Sequence, residues 1–222
     1  MTATAPGGAG PAPRFEIVAM GPEKIDAIME LEAVAFDPAI QASREKVERR
    51  FALGHQMLGA VHDGRLVGTI AFSATEFSPD ALDDIPRTFD AYSTQPVPAD
   101  ANTLCLYSIG VLQDSRGLAC TPPLIRAALD AGRSQGLVAG TADGPLPSLN
   151  GNDQVRAKPE IRRLVENFVA TGAMPPAGEF LHDPVIALYT RLTGCRVLAL
   201  LPDFIPEDTA SGGWRALLYV DL

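Results

Sequence analysis

The pair Asp63-Gly64 constrains this chain more than any other two residues, because it joins two apolar-rich, β-compatible runs, Gln56 to His62 and Arg65 to Ala71. A two-residue type I′ turn needs positive φ at both central positions, which Asp and Gly tolerate, and its twist matches that of paired strands. The segment therefore predicts an antiparallel hairpin. Elements of both kinds surround it. Residues 15–20 form a short strand, and Gly21-Pro22 opens a helix carrying Ile25, Ile28, Met29 and Leu31 on one side. A second helix is capped by Ser43, carries Val47 and Phe51 one turn apart, and stops at Gly54.

Beyond the hairpin, residues 104–112 predict a strand, and 122–133 a helix facing a sheet through Leu124, Ile125, Ala128 and Leu129. Residues 137–141 predict a fifth strand and 159–172 a helix. Asp183 caps a further helix that begins at Pro184 and ends at Gly194, and strands over 195–201 and 214–220 close the chain. Two connections are long. Residues 79–101, rich in Pro, Asp and Ser, form a candidate substrate-side loop, and 144–158 a turn-rich excursion. Residues 1–13 have, after Met1, no large apolar side chain to offset their ordering entropy and are expected to be a disordered leader. Residues 14–222 are expected to be one domain.

Charge and cysteine usage narrow the function classes. A net charge of -9 opposes nucleic-acid binding, which needs a basic surface, and mildly favours a cationic substrate such as an amine. No apolar run is long enough to span a membrane and no secretory start is present, so a cytoplasmic protein without membrane contact is expected. Cys105, Cys120 and Cys195 lie far apart and predict small buried apolar side chains, with no metal site.

The chemistry is concentrated where the strand 104–112 runs through Gln113-Asp114-Ser115-Arg116-Gly117-Leu118-Ala119-Cys120-Thr121 into a helix. Small residues there let backbone N–H groups converge on a phosphate, with the helix dipole and Arg116 adding favourable charge. This segment resembles the strand-turn-helix signature of the GNAT acyltransferases, Arg/Gln-x-x-Gly/Ala-x-Gly/Ala, which holds the pyrophosphate of coenzyme A. Thr121 departs from that pattern, and Pro122 and Pro123 follow in what is expected to be the first helical turn. The order of elements extends the resemblance over almost the whole chain.

The resemblance implies an α/β (α+β) fold with a mixed, mostly antiparallel central sheet of about six to seven strands flanked by helices. It implies acetyl-CoA as acyl donor, held by the backbone of Ile109 and Val111 and by Arg116, Gly117, Leu118, Ala119, Cys120 and Thr121. Gly110 would permit a bulge or the close approach of that ligand. In the family's late helix a Tyr protonates the departing sulfur, and the matching residue is Tyr189. The strand 104–112 contains no Asp or Glu, so the family's strand carboxylate is missing as general base; His182 is an eligible substitute. The leading expectation is acetyl transfer to an amine of a small molecule. A second is malonyl decarboxylation with acetyl transfer to a carrier-protein thiol, for which the resemblance implies a Thr on the fifth strand, matched by Thr141, and a His on the late helix, where this chain has Tyr189; an acyl carrier protein would meet Arg126 and Arg133. A third is a non-catalytic acyl-CoA binder. A homodimer is left open as the assembly.

Overall fold

The structure, a computed structural model, describes residues 14–222, with 115–118 described in their backbone only. The expected leader therefore lies outside the described residues. The hairpin forms as expected: β2 (Gln56–His62) and β3 (Arg65–Thr75) are antiparallel, with φ of 51° at Asp63 and 76° at Gly64. With β1 (Glu16–Met20), β4 (Thr103–Val111), β5 (Ala139–Pro145), β6 (Arg196–Leu201) and β7 (Arg215–Asp221) they make a seven-stranded sheet in the order β1-β2-β3-β4-β5-β7-β6. All neighbours are antiparallel except β4 and β5.

Helices cover both faces. On one lie α1 (Ile25–Ala35), preceded by a 3₁₀ turn at Pro22–Lys24, and α2 (Arg44–Ala52), whose N-cap Ser43 accepts from the Lys46 N–H. The long loop before β4 is partly ordered by a four-residue helix, α3 (Phe89–Tyr92), capped by Thr88. Met20, Ile28, Val47, Tyr92, Tyr107 and Phe204 form the core on this side. The larger core on the opposite face holds Phe72, Leu104, Leu124, Ile125, Leu164 and Ile186. There α4 (Ser115–Ser134) makes the crossover that a parallel β4–β5 pair requires, beside α5 (Pro159–Thr171) and α6 (Pro184–Thr193). No helix among the described residues is long and apolar enough to cross a membrane, and all three cysteines are buried and outside any disulfide.

Two expectations about these elements are corrected. Helix α4 begins at Ser115, seven residues before the expected start, so Pro122 and Pro123 lie inside it rather than in its first turn. An interior Pro costs about 3 kcal/mol, but burying a side chain such as Leu124 or Ile125 gains about 1.5–3 kcal/mol each. Cys120, Leu124, Ile125 and Ala128 are all fully buried on one stripe, which holds the helix continuous through the prolines. Strand β5 continues to Pro145 instead of ending at Thr141, because Asp143-Gly144-Pro145 is strand and not turn. A Cβ on Gly144 would lie 2.8 Å from Ile186 Cδ1, so the glycine serves the close packing of α6.

The cap of α6 anchors this half of the molecule. Buried Asp183 accepts from Val185 N–H (2.9 Å) and Ile186 N–H (3.3 Å) through Oδ1 and from Ser148 N–H (3.0 Å) through Oδ2. Asp183→Ala would strand three backbone donors, and we expect a loss of roughly 2–4 kcal/mol in urea unfolding, with the midpoint lowered.

Candidate functional site

The sheet is split at its centre. Strands β4 and β5 pair only from Thr103↔Ala139 to Leu106↔Ala142, after which β5 continues along β7 while β4 runs on alone on that side. A bulge marks the point of divergence: β3 pairs Ala71 with Ser108 and Phe72 with Leu106, leaving Tyr107 as the extra residue. Bulges bend and twist a strand, and this one sits where β4 must turn away. The bulge is thus at Tyr107 and not at Gly110. Gly110 instead faces Phe36, whose ring atom Cε2 would lie 2.7 Å from a Cβ there.

The ladder shows where the freed backbone points. Leu112 N–H donates to Val67 O at 2.9 Å on the β3 side. Antiparallel alternation then directs Gly110 to β3 as well and turns the N–H and C=O groups of Ile109 and Val111 toward the gap. Buried backbone groups of this kind need partners, and an extended ligand arm lying in the gap would supply them.

A cavity of about 660 Å³ occupies the split and reaches both faces of the sheet. On the α4 and α6 face its wall includes Thr121, Leu188 and Tyr189, and on the opposite face Phe36, Arg50, Phe89 and Phe204. Of the 79–101 loop, Thr88, Phe89 and Asp90 belong to that wall while Ala81, Asp84, Ile85, Pro86, Tyr92 and Gln95 line a smaller cavity, and of 144–158 only Pro145 reaches the large one.

Of the residues anticipated from sequence, Ile109, Thr121 and Tyr189 line this cavity. The Val111 side chain packs beside Gly68. Ala119 is exposed, and the Cys120 thiol is directed at Val67 O (3.9 Å), with burial pushing it up to about 11. The side chains of Arg116, Gly117 and Leu118 lie outside the described residues; their backbone forms the opening of α4 rather than a loop. Thr141 is elsewhere. It lines a separate cavity of about 280 Å³, where its Oγ1 is 3.3 Å from the Tyr92 hydroxyl and 3.4 Å from Leu104 O. His182 is exposed at the end of a 3₁₀ segment, Ala177–His182, where its carbonyl accepts from Lys158 Nζ, and it lines neither cavity. Trp214 packs edge-on against Phe168 in the core.

Sequence reasoning missed the most unusual group in the site. Asp143, buried on β5, lines the large cavity; its Oδ1 has no hydrogen-bond partner, and its Oδ2 is 3.8 Å from Arg215 Nε. Burial pushes its carboxyl up to about 7 against the opposing pull of Arg215, whose guanidinium is held mainly by Asp208 at 2.7 Å. Tyr189 is shifted upward too, by burial first and then by the charges of Asp143 and Cys195, so it keeps its proton. Asp143-Gly144-Pro145 has the composition of a turn, which hid the residue. Arg50, also buried on the cavity wall, was hidden in a basic helix; its only signal is that it shares a face with Val47.

No family model matches the sequence, and no curated protein matches it. Solved structures do match in fold. A GNAT-like decarboxylase, GphF in complex with isobutyryl-CoA, is 18% identical with a TM-score of 0.68, over 93% of this chain and 98% of that one. The loading GNATL domain of CurA from Lyngbya majuscula is 16% identical with a TM-score of 0.69, over 94% and 98%. The IAA acetyltransferase from Bacillus cereus is 13% identical with a TM-score of 0.53, over 94% and 100%. At these identities the likeness is one of fold.

Asp143 gives the site a stability signature. An unfolded chain ionises this residue in the ordinary carboxylate range, whereas the folded chain holds the proton up to about pH 7. Between those limits the folded state binds the additional proton, so the stabilisation is complete at low pH and is lost as pH rises through about 7. Asp143→Asn should flatten that decline, as measured by urea unfolding between about pH 5 and about pH 8.

Proposed function

We propose, taking the GNAT fold of this chain as premise, that it is an acyl-CoA-dependent acyltransferase whose thioester lies in the split between β4 and β5. The single observation that carries this reading is the cavity that crosses the sheet there, with Tyr189 on its wall and an unpartnered, buried Asp143 carboxyl beside it. The donor would enter on the α4 face, where helix N-terminal N–H groups suit phosphates, with its arm along Ile109 and Val111. That the GphF structure holds isobutyryl-CoA supports the donor class. The acyl group is proposed to be acetyl and the acceptor an amine of a small molecule, arriving on the Arg50 face.

The steps follow from the groups present. Asp143, ionised above about pH 7, takes the proton of the attacking amine. The new C–N bond forms, and the carbonyl oxygen, now an oxyanion, is steadied by N–H groups of β4 turned into the gap. The C–S bond then breaks, and the Tyr189 hydroxyl gives its proton to the departing sulfur. The burial that keeps Tyr189 protonated also disfavours a free thiolate in the same cavity, so proton delivery and sulfur departure are coupled.

A second reading, malonyl decarboxylation with loading of a carrier-protein thiol, is favoured by the higher TM-scores of the GphF and CurA domains than of the Bacillus cereus acetyltransferase. Two positions weigh against it. Thr141 lies in the separate smaller cavity, and the late helix presents Tyr189 to the large one. Incubation with acetyl-CoA and then malonyl-CoA separates the two: free thiol from acetyl-CoA in the presence of amines supports transfer, and carbon dioxide from malonyl-CoA overturns it.

Asp143→Asn should lower kcat/KM by on the order of 10²-fold or more and remove the rise in rate centred near pH 7. Tyr189→Phe should lower kcat by on the order of 10–10²-fold while coenzyme A affinity, measured by calorimetry, stays within about twofold.

A further inference from the structure

Arg50 and Arg215 both line the large cavity from buried positions, but only one of them is neutralised. Arg215 meets the carboxylates of Asp208 and Asp143. Arg50 has no carboxylate within ion-pair distance among the described residues. Its partners are neutral: Nε donates to Ser93 O at 3.3 Å and Nη2 to Ser93 Oγ at 2.8 Å. Arg50 as a residue is 5% exposed, and its guanidinium carbon lies 5.0 Å from the ring centre of Tyr107 and 5.5 Å from that of Phe89. Two of its five N–H groups are thus accounted for, and aromatic rings take up its faces. A buried cation left in this state is costly unless an anion completes it, and the unused N–H groups of a planar fork suit a carboxylate.

We infer that Arg50 is the recognition site for a carboxylate on the acceptor, so that the substrate class is amines that also carry a carboxylate, such as amino acids. The inference rests on the acyltransfer reading for the meaning of the site. Glu32, Asp90, Asp143 and Glu207 also line the cavity, as does Lys46; Lys46 pairs with Asp90 and Arg215 faces Asp143, which leaves Glu32 and Glu207 as carboxylates that favour a monoanion with an adjacent ammonium over a dianionic phosphate. Arg50 would take the carboxylate while Asp143, on the same cavity wall, receives the proton of the amine. The apolar residues Ile40, Phe204 and Ile205 leave room for a hydrophobic side chain between the two polar ends.

Matched probes test this. Acetyl transfer to phenylalanine, to its amide and to phenethylamine is followed by free-thiol release, alongside thermal shift with the same compounds in the absence of donor. The expected result is a kcat/KM at least about tenfold higher for phenylalanine, carried by KM, and a thermal shift given by the acid and not by the amide. Arg50→Gln should abolish both preferences, and Arg50→Lys, which keeps the charge but not the fork, should retain part of them. Coenzyme A affinity of each variant reports that it is folded. Equal transfer to all three amines would overturn the carboxylate site and leave acyl transfer standing. A thermal shift specific to the acid and lost in Arg50→Gln, without transfer to any amine, would uphold the site and overturn the acyltransfer reading. A preference for malonyl-CoA over acetyl-CoA that Arg50→Gln abolishes, with no discrimination among amines, would place the carboxylate on the donor and overturn the acceptor assignment.

Discussion

The parting of β4 from β5 after four residue pairs is the feature on which the rest of the site depends. A central strand normally satisfies its backbone on both sides, and β4 gives up one side from Tyr107 to Val111. The bulge at Tyr107 turns β4 outward, and the antiparallel β5–β7 ladder keeps β5 on its own course through Asp143 to Pro145. Helix α4, which connects the two strands, packs against β3 and β4 on one face, and α1 packs against the same two strands on the other, so β4 is held in place where it leaves β5. The proposed donor arm would lie along the free edge of β4 and pass from one face of the sheet to the other.

The two buried arginines show how the same residue type plays different parts. Arg215 sits among carboxylates and holds the end of β7 to the segment around Asp208. Arg50 is held by a serine and two aromatic rings, an arrangement that fixes its direction without neutralising it. Asp143 lies between these extremes: close enough to Arg215 to feel its charge, too far for a good bond, and left with one oxygen unpartnered. The Arg215–Asp208 pair is satisfied within the chain, whereas Arg50 lacks a carboxylate and one oxygen of Asp143 lacks any partner, as the proposed roles require.

Most of the fold was legible because its signals are local. The Asp63-Gly64 turn, the Ser43 and Asp183 caps and the Gly194 stop each depend on one or two residues and their own backbone. The failures were tertiary. The run around Pro122 and Pro123 looks like a helix start, but burial of Cys120 and Leu124 carries the helix back to Ser115. Asp143-Gly144-Pro145 looks like a turn, but the Gly allows the close packing of Ile186 and all three residues pair with β7. Tyr189 lines the large cavity, and its helix was legible from the Asp183 cap and the Gly194 stop. That Thr141 lines the smaller cavity and His182 neither was not legible, because which cavity a side chain enters depends on where β4 and β5 separate, and no residue in either strand announces that.

The central claim is that the acyl thioester occupies the split. A crystal structure with a hydrolysis-resistant acetyl-CoA analogue tests it most directly. The account requires the pantetheine arm beside the backbone of Ile109 and Val111 and the sulfur position within hydrogen-bond reach of the Tyr189 hydroxyl. An analogue bound with its arm away from β4, or with its sulfur position remote from Tyr189, would contradict it.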